Sequence, residues 1–126
     1  MNTATLELPK TASTADRPVD LVHLSRVTFG DRALEREVLG LFLRQSTIQL
    51  DRLKEARTAQ AFGAAAHTLK GSAAGIGARH VAAVAAEAEA LSARYDTAEV
   101  LEAVARLEAR VVECRLYISQ LLSNGA

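Results

Sequence analysis

The side chains best placed for chemistry stand in one stretch, AFGAAAHTLKGSAAGIG, from Ala61 to Gly77. Wound on a helix at 100° per residue, Phe62, Ala66, Leu69, Ala73 and Ile76 form an apolar stripe, and His67 projects at roughly 140° from its centre. Around His67 on that outward face fall Gly63, Ala64, Lys70, Gly71 and Ala74. A neutral imidazole, with an ordinary pKa of about 6.5, offers a lone pair at physiological pH and is a competent nucleophile. Residues three apart on a helix have Cβ atoms about 5 to 6 Å apart, so the Lys70 ammonium can reach an anionic group carried on the ring. Phosphate fits, because lysine binds it as a movable point charge. Gly71, four residues on, leaves space that a larger side chain would crowd.

A lone histidine on a helix is most often an ordinary surface residue, and the neighbours of His67 argue otherwise. Outward helix faces usually carry long charged side chains. Here one imidazole stands in a collar of glycine and alanine with a single lysine, a joint departure from ordinary helix design that marks a functional face. The collar predicts close approach of a partner, with Gly63, Ala64 and Ala74 as its contact positions.

The elements that hold this stretch follow from the rest of the chain. Its 126 residues suffice for one domain with one core. Hydrophobic residues make up 49%, Ala and Leu are abundant and there are only two Pro, which predicts an all-helical fold. Residues 1–18, rich in Thr, Ala and Ser, read as a flexible tail, and 124–126 as a short C-terminal one. The domain is expected over 19–123. A short helix runs from Val19 to about Thr28, with Leu21 and Leu24 inward, His23 outward and Gly30 ending it. Asp31 caps a second helix to about Ala56. Two stripes on that helix, Leu34, Val38, Leu41 and Ile48 beside Leu39, Phe42, Leu50 and Leu53, read as core on two sides. The alternative is that part of this arc, together with the first helix, stays exposed as a docking surface.

Thr58 or a neighbour starts the histidine helix, and Gly75-Ile76-Gly77 ends it. The short link that follows makes the next helix, about Arg79 to Arg94, an antiparallel neighbour packing through Val81, Val84, Ala85, Ala88 and Leu91. His80 is read as a solvated terminal residue. The last helix, about Ala98 to Leu122, carries a heptad seam: Val104, Val111 and Ile118 on one line, Val100, Leu107, Cys114 and Leu121 on the other. That places Cys114 in the core. The architecture expected is an all-α antiparallel four-helix bundle with a short additional N-terminal helix.

Charge and cysteine usage narrow the partners. Fifteen basic and fifteen acidic residues cancel, and no basic stripe favours nucleic acid or an anionic membrane. A single Cys cannot form an internal disulfide, and no Cys/His cluster has zinc spacing, so no metal site is expected. There is neither a secretory signal nor a membrane-spanning run, and a cytoplasmic location is expected.

His67, Thr68, Leu69, Lys70, Gly71, Ser72 and Ala73 reproduce a known motif of histidine, any residue, Leu-Lys-Gly and small residues. With Gly77-Ala78 and an upstream Pro18-Val19-Asp20-Leu21, the chain resembles the histidine-containing phosphotransfer (HPt) domains of bacterial multistep two-component phosphorelays, over Val19 to about Leu122. The resemblance implies a phosphocarrier without an ATP site or cofactor of its own, not an autonomous kinase. His67 would be nucleophile and carrier, Lys70 would neutralise phosphoryl oxygens and Gly71 would give access. The partners implied are response-regulator receiver domains, which bring their own Asp and Mg²⁺, and a hybrid sensor histidine kinase. A monomer is expected, and the initial Met suggests a freestanding module. A phosphorylation-independent helical adaptor is the rival, although it has no use for the His and Lys pair. The dimerisation domain of a sensor kinase is disfavoured, since it places an acidic residue where Thr68 stands.

Overall fold

Three side chains and one glycine set four of the helix ends. In a computed structural model, which describes residues 16–124, Asp20 caps α1 (Leu21–Val27) by accepting from the Val22 and His23 N–H groups. Asp31 caps α2 (Arg32–Glu55) through the Leu34 N–H, and Thr58 caps α3 (Ala59–Ile76) through the Ala61 N–H. Gly77 ends α3 in the left-handed conformation, φ +82°. Then come α4 (Arg79–Ala90), a 3₁₀ turn (Ser92–Arg94) and α5 (Ala98–Ser123). The described residues contain no strand, and the class is all-α. The two expected tails lie almost wholly outside the described residues.

The fourth helix stops earlier than its pattern suggests. At Leu91 the chain turns into the 3₁₀ segment. Tyr95 then folds back, donating its hydroxyl to the Arg57 carbonyl while its ring lies 6.4 Å from that of Phe62. This tertiary contact outweighs the helix propensity of the run to Arg94.

The core gathers one face of each helix: Leu24 of α1, Leu39, Phe42 and Leu53 of α2, Phe62 and Leu69 of α3, Val81 and Ala85 of α4, and Leu107, Val111 and Ile118 of α5. Each large side chain so buried contributes about 1.5 to 3 kcal/mol. Alanines along α3 and α4 let those two helices pack closely. Cys114 is buried as expected, and that burial pushes its thiol up to about 12. Across from it, Arg115 of α5 donates to Thr47 at 2.6 Å and to the Leu43 carbonyl, tying α5 to α2.

The reading of α2 as core on two sides is overturned for one stripe, of which only Val38 is half-buried against the core. Leu39, Phe42, Leu50 and Leu53 are buried, whereas Leu34, Leu41 and Ile48 are exposed, Leu41 by 48%. Repeating every seven residues, these three share one line, and α3 and α5 pack against the other side of the helix. Val22, Val27 and Phe29 of the α1 region are exposed as well.

His23 is no ordinary surface residue. Its Nε2 lies 3.1 Å from the Gly75 carbonyl, which can only accept, so Nε2 carries the proton. The Asp20 N–H donates to Gly77 O at 2.9 Å, and the Asp20 carboxylate pairs with Arg79 at 3.0 Å. A Cβ on Gly77 would lie 3.1 Å from the Asp20 carbonyl oxygen and 3.2 Å from the His23 ring. Thus α1 is latched onto the end of the histidine helix, and Gly77 is needed both for its φ and for this approach. His80 also departs from expectation. It is half-buried, and its enclosed Nδ1 finds no hydrogen-bond partner among the described residues, Glu113 of α5 being nearest at 3.9 Å.

Candidate functional site

Position along α3 decides what each side chain of the motif can do. Ala65, Ala66, Leu69, Ala73 and Ile76 turn inward, and His67 turns outward with 67% of its side chain exposed. Ala64, Gly71 and Ala74 share that exposed side. A Cβ built on Gly71 would meet nothing within 4 Å, so the space beside the imidazole is open. Gly63 differs. It is half-buried, and a Cβ there would lie 3.3 Å from Ser92, so packing of the 3₁₀ turn onto α3 already accounts for its small size. On the flank towards α2, Ala61, Ala64, Ala65 and Thr68 line a shallow hollow with Gln49 and Arg52.

A residue that sequence spacing did not reveal completes the site. Glu89, near the end of α4, places Oε2 at 2.9 Å from His67 Nδ1 and Oε1 at 2.7 Å from Lys70 Nζ. The Lys70 ammonium therefore does not stand free, and one carboxylate holds both candidate side chains of α3. The Lys70 hydrogen bond is the main reason the Glu89 carboxyl lies below the usual carboxylate range. It outweighs the opposing effect of desolvation, and the His67 hydrogen bond adds to it. Spacing rules within one helix reach only three or four residues, whereas Glu89 lies on the neighbouring helix. A signal did exist: His67 and Glu89 are equally far from Ala78 in the chain, as facing positions of a helical hairpin would be.

Among the described residues no group of His, Cys, Asp and Glu could hold a metal ion, and no helix is long and apolar enough to cross a membrane. The chemistry on offer is that of a nucleophilic ring nitrogen on an open surface, with one cation and one anion at its side.

Fold and site together define a class: an all-α domain that carries an exposed histidine on the outward face of a packed helix. The chain belongs to the Hpt domain family, whose model matches residues 37–124. Domains of this family are phosphocarriers in histidine phosphotransfer, not kinases. The match begins inside α2, so α1 lies outside it, although the motif resemblance starts at Val19. Comparison with curated proteins and with solved structures returned no match.

Proposed function

We propose that this chain is a phosphorelay intermediate: His67 accepts a phosphoryl group from the aspartyl-phosphate of one receiver domain and passes it to the Asp of another. The observation that carries the reading is the outward His67 beside the open space over Gly71, inside the span matched by the family. Phosphoryl transfer depends chiefly on positioning and charge neutralisation. A rigid helix face therefore suffices if the receiver brings the Asp and Mg²⁺. Lys70, within reach of a phosphoryl group on the ring, neutralises its oxygens, and Gly71 leaves room for them. Ala64 and Ala74 let the receiver surface come close. The exposed line Leu34, Leu41 and Ile48, with Val22, Val27 and Phe29, supports docking of a partner with an apolar face of its own. The receivers and a hybrid sensor kinase are the partners in this reading, and the cytoplasm its location.

Incubation with a phosphorylated receiver tests it. Acid-labile phosphate should appear on the wild-type chain and be absent from His67→Gln, which leaves the fold intact because the side chain lies outside the core and Gln is a good helix former. Full labelling of His67→Gln would place the site elsewhere. A wild type that binds the receiver without taking phosphate would favour the adaptor.

A further inference from the structure

The turn between α1 and α2 puts a large side chain where the backbone asks for none. Thr28 closes α1, and beyond it the Phe29 N–H donates to Arg26 O at 3.3 Å while the Gly30 N–H donates to Ser25 O at 2.8 Å. This crossed pair of bonds is a common helix ending, in which the first residue past the cap is left-handed and usually glycine. Here that residue is Phe29, at φ +56°. A bulky side chain is unfavourable in that region. Its ring gains no burial in return, being 92% exposed, the highest value among the exposed large apolar residues described. Strain at an unburied aromatic points to a contact outside the chain.

Beside Phe29 lies a hollow of about 440 Å³ lined by Leu21 and Leu24 of α1, Leu39 of α2, and Leu121 and Leu122 of α5, with the exposed Arg32 and Arg36. Gly30 lines it too, so the hollow begins one residue from Phe29, whose own ring stays outside. That volume is in the range of small-ligand clefts and admits a phenyl ring. Arg32 and Arg36 make no ion pair among the described residues, and neither does Asp31, which caps α2 through Oδ1. We propose that this surface binds a second copy of the chain about a two-fold axis, each Phe29 ring entering the leucine-lined hollow of the facing copy. A knob and a hollow side by side on one surface are what an isologous interface requires, because each copy then gives and receives the same contact. Charge complements shape: Asp31, two residues beyond each ring, brings a negative charge to the two arginines beside the facing hollow. Phe29 and the α1 side of the hollow precede residue 37, where the family match begins. The proposal departs from the monomer expected of the sequence and does not rest on the phosphorelay reading. Leu41 and Ile48, about 15 and 26 Å along α2 from Asp31, remain for a receiver.

Sedimentation equilibrium of the full-length chain, from micromolar to millimolar concentration, tests it. The wild-type mass should rise from one chain to two. Phe29→Asn removes the ring but tolerates the left-handed backbone, so the chain should fold at least as stably while association weakens at least about tenfold. Asp31→Asn, which keeps the α2 cap, should weaken association several-fold. Ser25→Trp fills the hollow, which Ser25 lines from the exposed side of α1, and should also prevent pairing. An equimolar mixture of Phe29→Asn and Ser25→Trp restores one intact ring and one open hollow per mixed pair, and should associate more tightly than either variant alone. A wild type that stays monomeric throughout overturns the proposal, as does Phe29→Asn pairing as tightly as the wild type. A mixture no tighter than its components overturns the reciprocal insertion. A monomeric wild type whose receiver binding is lost in Phe29→Asn would assign the surface to the receiver instead.

Discussion

Lys70 Nζ and Glu89 Oε1 stand 2.7 Å apart, so the cation nearest His67 enters any transfer already paired. A phosphoryl group on the ring gains from Lys70 only the difference between two anionic partners, not the whole attraction of a free charge. Lys70→Ala should therefore slow receiver-to-chain transfer about three- to tenfold without abolishing it. Rapid-quench rates at low and moderate salt check this. Equal rates for wild type and variant at both would make Lys70 a surface residue.

Gly71→Leu separates folding from function by sign. Glycine within a helix is less favourable than a good helix former by roughly 0.8 to 1 kcal/mol. A Cβ there meets nothing, so the variant should be as stable as the wild type or more stable. The same side chain fills the space beside His67, and transfer should fall at least about tenfold. Thermal unfolding and transfer measured on one preparation give both answers. A less stable variant, or undiminished transfer, would contradict the access argument.

Replacing Leu41 and Ile48 together by Gln removes exposed apolar surface while keeping good helix formers. Stability should change by no more than about 1 kcal/mol, as for substitutions outside the core. The receiver concentration needed for half-maximal transfer should rise several-fold, with little change in the rate at saturation. A titration of transfer rate against receiver concentration distinguishes this from a loss of chemistry at His67.

Gly77→Ala should destabilise the domain by about 1 to 3 kcal/mol, combining a left-handed φ with a Cβ forced against the Asp20 backbone. Urea unfolding measures the loss. Hydrogen exchange should show the α1 amides losing protection first, because that helix hangs on the Gly77 and Gly75 carbonyls.

Local rules made much of this legible. Asp31, Thr58 and Gly77 announce helix ends through side-chain oxygens and glycine φ, which depend on near neighbours in the chain. The phase of α3 follows from its small and apolar spacing, which put His67 and Gly71 outward and Leu69 inward. What escaped was tertiary. Glu89 meets His67 across two helices, His23 meets Gly75 through the latch, and Tyr95 cuts α4 short by reaching Arg57. The stripe of Leu34, Leu41 and Ile48 has the same periodicity as a buried one, so only the placing of the other helices could show that nothing covers it.

The latch at Gly77 makes α3 a ruler. One end is pinned to α1 through Asp20 and His23, and His67 sits ten residues back along the same rod, about 15 Å at 1.5 Å per residue. A helix measures angle together with length. One residue inserted between His67 and Gly77 would lengthen the rod by only about 1.5 Å but would turn the imidazole by about 100° relative to α1. The reach between α1 and the reactive nitrogen is therefore digital: it admits no small adjustment, and whole turns are the only steps that keep both facing the same way.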